Sequence, residues 1–141
     1  MCDDYSLCTL INIKMANKKI IKFIDTKKRI AFDLDGTLTK KGYFPNIWDI
    51  TPKQLLEEYE KVKPDKKMIK IINRLYDMGY IVYIFTSRSN LFQRQTKKWL
   101  DRNGVKYHYI VVDKPYFDRI VDDKSVDINK LKRYGIKYLK L

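Results

Sequence analysis

The chain has 141 residues, 45% of them hydrophobic and 33% charged, which is the composition of one globular domain and not of a disordered chain. Its formal charge of +13, from 23 lysines and 7 arginines, favours anionic partners. No apolar run approaches the roughly 20 residues of a membrane span, and the start Met1-Cys2-Asp3-Asp4 is acidic where a secretion signal would be basic.

Residues 1–18 read as a loosely attached leader, with Met15 as an alternative start, and residues 19–141 as a single domain. Cys2 and Cys8 both fall in the leader, far from other metal-ligating side chains except Asp3 and Asp4, and read as free thiols. The expectation is a cytoplasmic protein with no membrane partner. The lysines are scattered and accompanied by abundant Ile, Asn and Tyr, the pattern of a compositional bias. A nucleic-acid surface would more often gather Arg and aromatics on one face, so nucleic acid is an open but not the favoured partner.

Lys19 to Asp25 fits a strand or a short helix, and the pattern does not decide between them. Arg29 to Leu34 reads as the first core strand. It runs into Asp33-Leu34-Asp35-Gly36-Thr37-Leu38-Thr39, where two carboxylates two residues apart would share a strand face and Gly36 can supply a tight turn. Residues 40–63 hold Gly42, Pro45 and Pro52 with Tyr43, Phe44 and Trp48, which suits a flap followed by a short helix. Thr51 is its expected N-cap and Pro52 its first residue. From Pro64 to Met78 the residues Met68, Ile71, Ile72, Leu75 and Met78 form one helical stripe, closed by Gly79.

Tyr80 to Phe85 is a continuous apolar run of buried parallel-strand type. A helix from Asn90 to Asn103 follows, closed by Gly104, and then a third strand from Tyr107 to Val112. His108, the only histidine, falls in that strand and is expected to be structural. A brief fourth strand is expected at Arg119 to Val121. A fifth is expected at Ile136 to Leu139, after a helix ending near Gly135. Such alternation predicts an α/β fold, a three-layer αβα Rossmann-like open parallel sheet, with its active site at the carboxyl ends of the strands.

The strand ends carry polar chemistry in order. Asp33 and Asp35 end the first, Thr86-Ser87-Arg88 the second, Asp113-Lys114-Pro115 the third, and Asp122-Asp123 the expected fourth. Paired acids at a strand end suit a Mg²⁺ site for phosphoryl transfer, since Mg²⁺ takes hard oxygen ligands beside phosphate. A hydroxyl followed by a helix N-terminus suits phosphate oxygens.

Together the four segments resemble the signature motifs of the haloacid dehalogenase superfamily, from Arg29 to Lys124. The stretches Lys114-Pro115-Tyr116-Phe117-Asp118 and Asp122-Asp123-Lys124 are similar to its small capless branch, often associated with capsule or polysaccharide biosynthesis. The resemblance implies a Mg²⁺-dependent phosphatase with Asp33 as nucleophile and Asp35 as general acid and base. It implies metal ligation by Asp33, the Asp35 carbonyl and Asp122, with Asp123 either a ligand or an orienter of Lys114. Thr86 and Lys114 would neutralise the transferring phosphoryl group, and Thr37, Ser87 and Arg88 are candidate phosphate contacts. Ser87 and Arg88 read equally well as helix-start residues. The implied substrate is a small phosphorylated metabolite such as a sugar phosphate; a nucleotide or nucleic-acid end is the alternative, and a non-catalytic binding protein the third reading. The first gap is too short for a folded cap, so the open site suits a large substrate or a partner subunit that covers it.

Overall fold

The computed structural model of the chain describes residues 28–40 and 50–140. The leader, the Lys19 to Asp25 segment, and Tyr43, Phe44 and Trp48 of the expected flap lie outside the described residues.

Three parallel strands, β1 (Arg29–Phe32), β2 (Ile81–Phe85) and β3 (Tyr109–Val111), form an open sheet in the order β1-β2-β3. The register pairs Phe32 with Ile84 and Phe85 with Val111, so the three strands end side by side. Between them run α1 (Pro52–Lys61), α2 (Lys66–Asp77) and α3 (Gln93–Arg102). After β3 come a long connection, α4 (Ile128–Tyr134) and a 3₁₀ turn at Gly135–Leu139. This is an α/β, Rossmann-like architecture, as the alternating pattern predicts. No helix among the described residues is long and apolar enough to cross a membrane.

The helix boundaries follow from local chemistry. Thr51 caps α1 in a reciprocal box with Gln54, and Pro52 opens it. Asp65 caps α2, its Oδ1 accepting from the N–H groups of Lys67 and Met68 at 3.1 and 3.2 Å. Gly79 and Gly104 stop α2 and α3 with φ of +89° and +66°. The stripe Met68, Ile71, Ile72 and Leu75 is buried against β2 and the first turn with Leu34, Leu38, Val82 and Ile84. Truncating one of these to alanine would cost about 2–5 kcal/mol. Trp99 of α3 is buried as well, and its indole N–H donates to Val62 O at 3.0 Å, fixing the exit of α1.

Four expectations are corrected. Met78, placed on the buried stripe, is 53% exposed, because it is the C-cap where the chain turns away from the core. Arg119 to Val121 forms no strand, and Val121 is fully exposed; three residues with no neighbouring edge cannot gain a ladder. Ile136 to Leu139 is a 3₁₀ turn packed on the core, not a fifth strand, because Gly135 ends α4 without turning the chain toward the sheet edge. The first strand stops at Phe32, so Asp33 and Asp35 lie in the turn that follows it.

Candidate active site at the carboxyl edge of the sheet

The turn Leu34–Leu38 begins where β1 ends and closes with Thr39 N donating to Leu34 O at 3.0 Å. Gly36 takes φ +81°, where an L side chain is strained, and its N–H donates to Thr39 Oγ1 at 2.9 Å. Leu34, Thr37, Leu38 and Thr39 are buried, so the turn is anchored on both sides. Asp33 and Asp35 are left partly exposed, at 37% and 21% of their side chains. Their common placement comes from the turn and not from strand alternation.

Each carboxylate is held by a cation from a different strand end. Lys114, just beyond β3, reaches past the end of β2 to place Nζ 2.6 Å from Asp33 Oδ1. Its ammonium also lies 5.2 Å from the centre of the Phe85 ring. The backbone steers it there. Asp113 adopts φ +55°, a left-handed conformation that Asp tolerates better than most residues. Asp113 N then donates to Arg88 O and Lys114 N to Thr86 O, both at 3.0 Å, while Asp113 Oδ1 accepts from Asn90 N at 3.2 Å. The loops after β2 and β3 are thereby stitched together.

Arg88 makes the second pair. Its Nε and Nη2 donate to the two oxygens of Asp35 at 2.8 and 2.7 Å, a bidentate fork. The side chain is 1% exposed, its guanidinium lying 3.8 Å from the ring centre of Tyr59 on α1. Phe92 packs edge-on against that ring, with centroids 5.6 Å apart. Burial raises the Tyr59 pKa, Arg88 opposing and Asp35 reinforcing the shift. Nη1 of Arg88 has no acceptor among the described residues. Sequence reasoning singled out Arg88 as a phosphate contact or a helix-start residue; the geometry makes it the anchor of Asp35. It missed Tyr59, whose only signal was an aromatic on the inner face of the helix after the flap.

The remaining candidates are placed as follows. Thr86 is buried, and its Oγ1 accepts from Arg88 N at 3.2 Å, so the hydroxyl shapes the loop that carries the arginine. Thr37 is buried in the first turn, and Ser87 is exposed at the end of β2. Asp122 and Asp123 stand in an exposed turn on the connection after β3, where Asp122 Oδ1 accepts from Lys124 N at 2.8 Å. That bond, with one from Asp123, holds the Asp122 carboxyl below its ordinary pKa. Among the described residues no three acidic, thiol or imidazole side chains cluster as metal ligands, so this turn does not join Asp33 and Asp35. His108 lies just before β3 rather than within the strand as expected, its Nδ1 accepting from Val82 N at 3.1 Å and its ring stacked on Tyr76.

The chain matches no protein-family model and no curated protein. Among solved structures it is similar to a crystal structure of a target protein from Vibrio cholerae, with a TM-score of 0.64 and 22% identity, covering 80% of this chain and 94% of that one. A second similarity, to a chain of a Pnkp1/Rnl/Hen1 complex, has a TM-score of 0.47 and 19% identity, and covers 78% of this chain and 34% of that one. The first of these shows a shared fold, and what the site does is read from its own residues.

Proposed function

We propose that the chain is a Mg²⁺-dependent phosphomonoester hydrolase of the haloacid dehalogenase type, working through an aspartyl-phosphate. The observation that carries this reading is Lys114 Nζ at 2.6 Å from Asp33 Oδ1, with Asp35 two residues on, at the carboxyl edge of a parallel sheet. A carboxylate beside a fixed ammonium can approach a phosphoryl dianion that would otherwise repel it. An Asp33 oxygen forms the bond to phosphorus as the ester oxygen leaves, and water then breaks the acyl phosphate to release inorganic phosphate.

Asp35 would give the leaving oxygen its proton and then take one from the attacking water. Both of its oxygens accept from Arg88. To act as the acid it must therefore first open one of those hydrogen bonds and take up a proton from solvent, and to act as the base it must open one to reach the water. Mg²⁺ needs only one or two carboxylates when water and phosphate complete its shell. The part-exposed Asp33 carboxylate would supply one such ligand, with the main-chain carbonyl of Asp35 as a second. Asp122 and Asp123, on the same connection as Lys114, stand apart from these groups and would become further ligands only with that connection folded toward Asp33 once Mg²⁺ is bound. The ion would neutralise phosphate charge.

The substrate class favoured is a sugar phosphate or related metabolite. The test is Asp33→Asn, which keeps the shape and removes the attacking oxyanion. Turnover of a panel of phosphate esters with Mg²⁺ should fall by about three orders of magnitude or more while the melting temperature stays near the parent's. Beryllium fluoride should be trapped on Asp33 of the parent alone. Near-parental turnover by Asp33→Asn would refute the covalent route.

A further inference from the structure

A basic track runs along the outer face of α2, and nothing in the proposed chemistry uses it. It begins at a depression of about 370 Å³ bordered by Lys40, Lys63, Lys66 and Lys67, just beyond the turn that carries Asp33 and Asp35. Lys67 is shared with a second depression of about 360 Å³, between α2 and α4, which adds Lys70, Arg74, Lys132 and Arg133. Arg74 and Tyr134 are shared with a third of about 530 Å³, which adds Lys137 and Lys140. Lys67, Lys70 and Arg74 are spaced i, i+3 and i+7, so they form one line along the helix.

Among the described residues the charge here is largely uncompensated. The only carboxylate among the described residues that borders the three depressions is Asp65, and it is already occupied: Oδ2 lies 2.6 Å from Lys132 Nζ, and Oδ1 caps α2. Among the described residues Lys67, Lys70, Arg74, Arg133, Lys137 and Lys140 have no carboxylate within ion-pair distance. Six like charges along one groove repel one another and cost stability unless a polyanion neutralises them. An aromatic platform lies among them: Tyr134 is 54% exposed, with the Arg133 guanidinium 5.3 Å from its ring centre. A subset of the scattered lysines thus folds onto one face with two arginines and a tyrosine, the arrangement that marks a nucleic-acid surface.

We infer that this groove binds a single strand of nucleic acid, with its phosphates on Lys67, Lys70, Arg74 and Arg133 and a base stacked on Tyr134. The 12 residues of α2 make it ~18 Å long, room for about three to five phosphates. A lysine-lined groove with one exposed ring suits an unpaired strand, whose bases are free to stack. The inference does not depend on the phosphatase reading, because binding is measured without turnover.

The experiment is fluorescence anisotropy of a fluorescein-labelled 12-nucleotide single strand with the Asp33→Asn chain in EDTA, across a series of salt concentrations. Two triple variants remove the same charge. One is Lys70→Gln with Arg74→Gln and Arg133→Gln in the groove, and the other is Arg94→Gln with Lys97→Gln and Lys98→Gln on α3. The groove triple should weaken binding about tenfold or more and flatten the slope of log K against log salt by about 2, at ~0.7 per phosphate contact. The α3 triple should change affinity by no more than about twofold, and Tyr134→Ala alone should weaken it about fivefold or more. Equal losses from both triples would reduce the effect to net charge and overturn the track. So would absence of binding by the Asp33→Asn chain at low salt, or loss of binding to phosphatidylserine vesicles in the groove triple with oligonucleotide binding intact.

Discussion

Replacing Arg88 with methionine tests how the site is held together. Removing one member of a fully buried ion pair costs about 3–5 kcal/mol, mostly because the other charge is left unpaired. Arg88 is 1% exposed, but Asp35 keeps 21% of its side chain in contact with solvent and can recruit water when the guanidinium is gone. The expected cost is therefore at or below the low end, about 2–3 kcal/mol, part of it from the lost stacking on Tyr59. For a domain of this size 1 kcal/mol moves the melting temperature by about 3 °C, so Arg88→Met should melt about 6–9 °C below the parent. Arg88→Lys keeps the charge but cannot hold both carboxylate oxygens, and should fall between the two. Calorimetry on the two variants, on Asp35→Asn and on the double variant should return a coupling of about 1–3 kcal/mol. Activity supplies a readout that a purely structural role would not move. A mispositioned Asp35 should slow hydrolysis of an alkyl phosphate, whose leaving oxygen needs a proton, far more than that of p-nitrophenyl phosphate. A melting temperature within about 1 °C of the parent, with the ratio of the two rates unchanged, would refute the anchoring role of Arg88.

Chelation with EDTA should abolish turnover and Mg²⁺ restore it, while Ca²⁺ should restore little because its larger, looser shell misplaces the attacking oxygen. Asp122→Ala should raise the Mg²⁺ concentration required; an unchanged requirement would confine the metal to Asp33 and the Asp35 carbonyl. Asp65 gives a pH test of stability. Burial opposes its charge, but the Lys132 hydrogen bond and attraction, with the N–H groups of Met68 and Lys67, outweigh this and hold its pKa below the ordinary 3.8. A folded-state pKa below the unfolded one adds stability above about pH 4 and loses it as pH falls through the folded value. Asp65→Asn should therefore melt below the parent by a constant margin from pH 5 to 7, and the margin should shrink below pH 4. A margin independent of pH would show that the Asp65 charge contributes nothing.

Much of this architecture was legible along the chain because its causes are local. The run Ile81–Phe85, the stripe Met68 to Leu75, the Thr51-Pro52 start and the stops at Gly79 and Gly104 each depend on a few neighbouring residues, and all stand in the structure. Alternation of strand and helix then implied a parallel sheet, since a crossover helix allows little else. The acids of the first turn and the lysine beyond the third strand were visible for the same reason.

What the sequence could not decide were the meetings of residues far apart in it. Lys114 and Asp33 are 81 positions apart and Arg88 and Asp35 are 53, and each pair forms only because the strands end side by side. Short segments such as Arg119 to Val121 satisfy a strand pattern, yet a strand exists only where a neighbouring edge offers hydrogen bonds, and the described residues offer none there. Likewise the lysines look dispersed in one dimension, and a subset of them lines one groove only when α2 and α4 lie together. Local propensity chose the elements, whereas the pairing of charges followed from long-range packing, whose partners no short window of sequence contains.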